Sequence, residues 1–239
     1  MNFKVVERAG LISDIPKRLV HLRLAGLASL HGKALLDCGC GAGKDAAILS
    51  KLGNFVVGTD ISMSALKMAK QTASNLRTHL DLVCCDSEEL PFRREVFDLC
   101  YCSWTLHHFP RIELVLAQLN SVLRKGEALV IIEPNGSNVV VRISQNLEDL
   151  CRPWLIRRGA DTPNERLHDC QTYVESLARA GFSHVRVLQW FGGGIPPVPR
   201  NDVILYMVVR VRALLLECAW KYLPPPFNGA DLVARAQKD

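Results

Sequence analysis

The chain has 239 residues, of which 49 % are hydrophobic, and a formal net charge of +5 at pH 7. This length allows a sizeable buried core, and the composition is that of neither a disordered nor a fibrous protein. The positive charge is spread along the chain instead of forming one basic stretch, which argues against a nucleic-acid-binding face.

Cysteine usage and the N-terminal residues bear on metal binding and on cellular location. The chain has nine cysteines, an odd number, and no C-x-x-C pair recurs with histidines at ligand spacing. We therefore predict reduced, structural thiols and no metal site. Charges at Lys4, Glu7 and Arg8 interrupt the region where a secretory signal would be apolar, so a cytoplasmic protein is expected.

The first predicted elements are a helical lead-in and a strand that runs into a glycine-rich turn. Residues 1–32 are predicted as the lead-in, with an amphipathic helix from about 11 to 31. An apolar strand at 35–38 then precedes three alternating glycines and a helix-favouring stretch at 46–49. Glycines at this density let the backbone turn tightly and approach a ligand closely. A strand, such a turn and a helix N-terminus together predict a nucleotide-type cradle.

The spacing in this loop separates the ligand classes that use such cradles. A P-loop would need Gly at position 38 and Ser or Thr at 45, where Cys38 and Asp45 stand. The dinucleotide fingerprint would need Gly in place of Lys44, and it has no use for Asp37 beside a pyrophosphate. Asp37 and the three glycines instead resemble motif I of the class I S-adenosylmethionine-dependent methyltransferases. That ligand has no phosphates and carries a positive sulfonium, so a nearby acid is favourable.

Three further strands are predicted at 54–61, 80–86 and 97–103. The second strand contains Asp60, which lies 21 residues past Gly39, where doubly wound folds place a carboxylate on the ribose hydroxyls. The third strand also ends in an acid. In the resembled family, either this acid or the residue next to it contacts the adenine amino group. The resemblance implies that S-adenosylmethionine is held by Asp37, Gly39, Gly41, Gly43, Asp60, Ile61, Asp86, Ser87 and Ser103.

The residues after the fourth strand provide the catalytic candidates. Residues 104–109 resemble motif IV of the ubiquinone-biosynthesis-like small-molecule methyltransferases. His107 and His108 are the predicted catalytic residues, because a hydroxyl or phenol acceptor needs a general base. Two alternatives stay open: one histidine packs under the cofactor, as is frequent in that family, or both are structural. Tyr101 and His168 are weaker candidates for the base.

The remaining predicted elements complete a sheet and add two inserts. A helix is predicted at 111–124 and strand five at 127–134, joined by a turn that resembles the family's Gly-Gly turn, with Glu127 replacing its second Gly. Residues 136–168, broken by prolines and a glycine, are predicted as a lid-like insert over the carboxyl ends of the strands. A further helix and two strands are expected at 169–180, 184–190 and 230–236.

The second insert, predicted at 192–228, contains an apolar stretch at 203–220. Arg210, Arg212 and Glu217 argue against a membrane-spanning helix, because each charge at the bilayer centre costs roughly 2.5–3.5 kcal/mol. Three readings remain open: a helix packed on the sheet, a lid over an apolar acceptor, or a peripheral membrane contact.

Together these features predict one methyltransferase domain over residues 1–239. The expected fold is α/β, a doubly wound, seven-stranded Rossmann-like sheet, mostly parallel with an antiparallel last strand and helical lid inserts. The expected function is S-adenosylmethionine-dependent methyl transfer to a small, lipophilic organic acceptor, without nucleic acid as a partner. The alternatives are a non-catalytic S-adenosylmethionine-binding scaffold protein and a nicotinamide-dependent dehydrogenase.

Overall fold

A computed structural model describes residues 15–157, 165–190 and 231–239. The predicted insert at 192–228 lies outside these residues. The helices are α1 (Ile15–Leu24), α2 (Lys44–Lys51), α3 (Met63–Leu76), α4 (Ile112–Val122), α5 (Val139–Arg157) and α6 (Cys170–Arg179). The strands are β1 (Ala34–Cys38), β2 (Phe55–Asp60), β3 (Asp81–Cys84), β4 (Phe97–Ser103), β5 (Leu123–Pro134), β6 (Phe182–Trp190) and β7 (Asp231–Lys238), and a 3-10 turn spans Leu106–His108.

The strands form one seven-stranded sheet in the order β3-β2-β1-β4-β5-β7-β6. The pairs from β3 to β5 are parallel, and β7 is antiparallel to both β5 and β6. The predicted fold class is therefore confirmed, and the antiparallel strand lies between β5 and β6. The strand order reverses between β1 and β4, which is where open α/β sheets bind ligands at the carboxyl ends of the strands.

Alternating side chains of the central strands fill two cores, one on each face of the sheet. Leu36 of β1 and Cys100 of β4 lie in the core that includes α4 and α6. Their neighbours Leu35 and Leu99 lie in the opposite core with residues of α1, α2 and α3. This division follows from the two-residue period of a strand, and it explains why these strands are apolar on both faces.

The boundary between α4 and β5 differs from the prediction of a helix to Arg124 followed by a turn. The helix ends at Val122, and Leu123 already pairs with Phe97 of β4. The pairing then shifts register so that Leu99 lies opposite Ala128. The family-like turn is therefore an irregularity inside a long strand, and Gly126 adopts the positive φ of 77° that it requires.

Two helices also differ from their predicted form. The lead-in helix ends at Leu24 instead of near residue 31, and Gly26 with φ 73° follows its end. The insert at 136–168 was predicted as a helical lid without a clear strand–helix rhythm, and α5 occupies much of it. Asn138 begins α5, since its side-chain oxygen accepts hydrogen bonds from the N–H groups of Val140 and Val141 at 2.9 and 3.1 Å. Pro153, one of the residues expected to break this segment, lies inside α5 and does not end it.

Candidate functional site

The three glycines after β1 all have positive φ, but their surroundings differ. A Cβ at Gly39 would lie 2.0 Å from Oγ1 of Thr105, and one at Gly43 would lie 2.7 Å from Cβ of Ala69. These two glycines therefore allow close packing within the protein. Among the described residues, no atom lies within 4 Å of where a Cβ at Gly41 would be. The open space beside Gly41 is where a ligand could approach the backbone closely.

Asp60 at the end of β2 holds this loop in place. Its Oδ2 accepts a hydrogen bond from the N–H of Gly41 at 2.9 Å, and its Oδ1 accepts one from the N–H of Ser62 at 2.8 Å. The N–H of Cys85, just after β3, donates to the backbone carbonyl of Asp60 at 3.2 Å. A carboxylate has more acceptor sites than these two bonds use, so Asp60 can still accept from a hydroxyl. Ile61 beside it is largely exposed.

Asp37 lies beneath the loop instead of at its surface, with only 3 % of its area exposed. Burial raises its pKa well above the ordinary value, and nearby Asp45 raises that pKa further. Asp45 accepts hydrogen bonds from Arg18 of α1 at 2.8 Å and from the hydroxyl of Tyr101 at 3.0 Å. Sequence reasoning missed this pair of contacts. Asp45 in the first turn of α2 was a local hint, but no local pattern pointed to Arg18.

The predicted adenine-side residues separate into a rim residue and a buried one. Asp86 is exposed, and its Oδ1 accepts from the N–H of Glu88 at 2.9 Å. Ser87 is buried, and its Oγ accepts from the thiol of Cys38 at 3.2 Å, which ties it to the end of β1. Ser103 is half-buried at the end of β4. The structure therefore gathers the predicted cofactor residues along the carboxyl ends of β1 to β4.

Glu133 is fully buried at the end of β5, and its carboxylate accepts hydrogen bonds from the turn that follows β4. Its Oε1 accepts from the N–H groups of Thr105 and Leu106 at 2.9 and 2.7 Å. Its Oε2 accepts from the N–H of His107 at 3.4 Å and contacts Nδ1 of that ring at 2.6 Å. Burial alone would raise the pKa of Glu133, but His107 and these hydrogen bonds outweigh it and hold the pKa below its usual value.

Because an ionised carboxylate only accepts, Nδ1 of His107 carries a proton in this contact. In the neutral ring the basic lone pair then resides on Nε2, as in other carboxylate-oriented histidines. His107 is buried, and His108 is half-buried with its ring centroid 4.0 Å from that of His107. The two predicted catalytic residues are thus adjacent but differ in environment.

His168 lies close to Glu133 and His107. The N–H of Arg166 donates to the carbonyl of His107 at 2.8 Å, and the N–H of Gly136 donates to the carbonyl of His168 at 3.0 Å. The His168 ring packs edge-on against Tyr173 at 5.6 Å between centroids. Burial lowers the pKa of His168, with Glu133 opposing and His107 adding to the change.

Comparison with known proteins shows which family this part of the chain resembles. Residues 36–131, from within β1 to within β5, match the model of a methyltransferase domain family. This range includes every predicted cofactor residue and both predicted catalytic histidines. Within this range the chain is similar to the class I S-adenosylmethionine-dependent methyltransferases. The cofactor of this domain is S-adenosylmethionine, which confirms the predicted cofactor.

Two curated relatives are similar to this chain, and each match covers about half of the relative's own length. A ubiquinone biosynthesis O-methyltransferase of Bradyrhizobium diazoefficiens is 32 % identical over 139 residues, covering 58 % of this chain and 51 % of the relative. A phthiotriol/phenolphthiotriol dimycocerosates methyltransferase of Mycobacterium ulcerans is 31 % identical over 141 residues, covering 57 % and 51 %. The chain therefore spans about half the length of these relatives.

A solved structure extends the likeness of fold beyond the methyltransferase domain. An S-adenosylmethionine-dependent methyltransferase of Mesorhizobium loti has a TM-score of 0.62 to this chain at 19 % identity, covering 98 % of this chain and 100 % of that one. At this identity the likeness concerns the fold, and it agrees with the strand order described above.

Proposed function

We propose that this protein transfers the methyl group of S-adenosylmethionine to a small, lipophilic organic acceptor by in-line displacement. The observation that carries the proposal is the glycine loop, which Asp60 holds through the N–H of Gly41 while the space above Gly41 stays open. The methyltransferase domain family supports it. S-Adenosylmethionine supplies, when bound, a methyl group already activated on a positive sulfonium.

The residues at the carboxyl ends of β1 to β4 would hold this cofactor. Asp60 offers a charged acceptor for the ribose hydroxyls, and exposed Ile61 offers an apolar surface for the adenine ring. Asp86 lies at the rim, where its carboxylate would accept from the adenine amino group. The proposed set is Asp37, Gly39, Gly41, Gly43, Asp60, Ile61, Asp86, Ser87 and Ser103, with Asp37 and Ser87 supporting the loop from below.

The task left to the protein is positioning and, for a hydroxyl acceptor, removal of one proton. Well-oriented reactants gain on the order of 7–11 kcal/mol from positioning alone. We assign the proton-accepting role to His107, because Glu133 holds its Nδ1 and leaves basicity on Nε2. His108 is the second candidate at this edge. The acceptor's O–H bond breaks and its proton is taken up at Nε2.

Support for a lipophilic acceptor comes from the relatives and from the edge of the sheet. The relatives are named for ubiquinone biosynthesis and for phthiotriol dimycocerosates. Trp104, which follows β4 with φ 53°, exposes a third of its surface beside the proposed base. An apolar acceptor would bury this surface, gaining roughly 25 cal/mol per Å².

Calorimetric titration tests the cofactor part of the proposal. The wild-type protein should bind S-adenosylmethionine and S-adenosylhomocysteine more tightly than NADH. Asp60→Asn should weaken S-adenosylhomocysteine binding by about 10- to 100-fold, because a charged hydrogen bond contributes roughly 1.5–3 kcal/mol. The control is Asp81→Asn, an exposed aspartate on neighbouring β3. Tighter binding of NADH would support a dehydrogenase instead.

Labelled methyl transfer tests the catalytic part. Protein incubated with methyl-labelled cofactor and an extract fractionated by polarity should label the apolar fractions. With the labelled acceptor in hand, His107→Gln should lower kcat and remove the acid limb of its pH profile, with the cofactor Kd unchanged. The same result from His108→Gln alone would transfer the role to His108. Cofactor binding without labelling of any fraction would favour the scaffold alternative.

A further inference from the structure

Tyr173 carries a buried hydroxyl that the proposed mechanism does not use. It is the fourth residue of α6, a helix that begins at Asp169, whose side chain accepts from the N–H of Thr172 at 2.7 Å. Only 1 % of the surface of Tyr173 is exposed. Within the described part of the chain, its hydroxyl has no partner at hydrogen-bonding geometry. Because buried hydroxyls are nearly always paired, this one requires an acceptor close by.

The residues just before α6 place Tyr173 beside the proposed base. The N–H of Arg166 donates to the carbonyl of His107 at 2.8 Å, and the N–H of Gly136 donates to the carbonyl of His168 at 3.0 Å. A Cβ at Gly136 would lie 2.5 Å from that carbonyl oxygen, so the two segments are in direct contact. The ring of His168 in turn packs edge-on against Tyr173. This segment therefore connects Tyr173 to the turn that holds the proposed base and to the chain just after β5.

Glu133 is the acceptor that this position offers. Tyr173 lies in the same buried core as Leu106, whose N–H donates to Oε1 of Glu133 at 2.7 Å. On Oε2, the contact with the N–H of His107 is long, at 3.4 Å, and a carboxylate oxygen has more than one acceptor site. Burial raises the pKa of Tyr173 well above its usual value, and the nearby charge of Glu133 raises it further, so the hydroxyl keeps its proton. Glu133 can therefore accept one more hydrogen bond, and Tyr173 can donate it.

We infer that Tyr173 is a positioning residue, whose hydroxyl donates to Glu133 and through that carboxylate sets the basicity of His107. A donor on the carboxylate spreads its negative charge and weakens its attraction for a protonated ring. The His107 ring is then neutral over a wider range of pH, and only the neutral ring accepts a proton. The consequence for catalysis rests on the proposed function, whereas the coupling of Tyr173 to His107 does not.

Other titratable groups also act on this site and stay in place when the hydroxyl is removed. The charges that act on His168 come from β5, α4, the turn after β4 and the residues before α6: Glu133, Glu113, His107 and Arg166. The ring centroid of His108 lies 4.0 Å from that of His107. Tyr173→Phe removes one oxygen atom and leaves all of these groups unchanged. A change in the titration of His107 in this variant is therefore an effect of the hydroxyl.

Nuclear magnetic resonance titration of the full-length protein tests the inference without an acceptor. The imidazole signals of His107 are assigned by their loss in His107→Gln. In Tyr173→Phe, the pKa of His107 should rise by at least about 0.5 pH unit, because Glu133 then attracts the protonated ring more strongly. Once the labelled acceptor is known, the acid limb of kcat should move by the same amount, with the acceptor KM within about twofold of wild type.

Tyr101→Phe is the matched control. Tyr101 is also fully buried, but its hydroxyl donates to Asp45, and it lies in the core on the opposite face of the sheet. Removing this hydroxyl should leave the pKa of His107 unchanged. A second measurement changes the hydroxyl in the opposite direction. A 3-fluorotyrosine at position 173 alone is a more acidic phenol and a stronger donor, so it should lower the pKa of His107. This variant keeps the hydroxyl, so it tests the inference even if Tyr173→Phe does not fold.

Three results would overturn the inference. The first is a folded Tyr173→Phe protein, as shown by thermal unfolding, in which the pKa of His107 stays within about 0.2 pH unit of wild type. The others are an equal shift in Tyr101→Phe and no shift with 3-fluorotyrosine at position 173. Methyl transfer at the wild-type rate by His107→Gln would instead refute the proposed base, and it would leave the measured coupling between Tyr173 and His107 intact.

Discussion

Gly41→Ala separates a ligand-binding role of the loop from a folding role. The structure leaves open space where the new Cβ would lie, so the direct cost to the protein is that of its positive φ of 52°. A non-glycine residue in this conformation costs about 1–2 kcal/mol. Since 1 kcal/mol shifts Tm by about 2–4 °C in a chain of this size, the expected decrease is about 2–8 °C. The variant should remain folded.

Binding should respond much more strongly than stability. If the cofactor lies against Gly41, the added methyl group occupies space that the cofactor needs. The Kd for S-adenosylhomocysteine should then rise more than about tenfold, which corresponds to about 1.4 kcal/mol of binding free energy. Isothermal titration calorimetry measures this Kd, and circular dichroism measures Tm on the same sample.

Gly39→Ala is the contrasting control. Its Cβ would lie 2.0 Å from Oγ1 of Thr105, so this variant should lose stability through a clash within the protein. A Gly41→Ala protein that binds S-adenosylhomocysteine within about twofold of wild type would refute the reasoning, because the open space would then not be the cofactor's.

Three other predictions concern the buried polar groups. Glu133→Gln should lower the free energy of unfolding in urea by about 1–3 kcal/mol, because an amide cannot accept from all the donors that contact the carboxylate. Glu127→Gln on the same strand is the control and should change that free energy little. Arg18→Ala should lower the free energy of unfolding by a similar amount, about 1–3 kcal/mol, because buried Asp45 loses the guanidinium that contacts it. Arg23→Ala, at the exposed end of α1, is the control and should change that free energy little in the same assay. Burial lowers the pKa of both His21 and His168, so the unfolded chain takes up protons first as pH falls. The free energy of unfolding should therefore fall between about pH 7 and pH 5, and the double variant His21→Gln/His168→Gln should show a shallower slope; an unchanged slope would contradict this assignment.

The sequence by itself determined the sheet and the glycine-rich turn after β1, because local sequence patterns indicate both. Buried parallel strands appear as short apolar runs, and their acids or turns mark the carboxyl ends where ligands bind. Asp60 was found in this way at a fixed distance from Gly39, and it contacts Gly41 in the structure. The positive φ of the three glycines could also be predicted from the sequence, because only glycine adopts positive φ at little cost.

Tertiary structure alone decided what each polar group contacts. All three glycines look alike in the sequence, but only the neighbours Thr105 and Ala69 distinguish two packing positions from the open one at Gly41. Glu133 and His107 are 26 residues apart, and Arg18 and Asp45 are 27 apart, so no local pattern relates them. Helix α5 begins at a cap formed by Asn138 and continues past an internal proline, where a proline in the sequence normally indicates a break. Contacts of this kind arise because the sheet brings distant strand ends to one edge, and a carboxylate buried there must find donors wherever the fold supplies them.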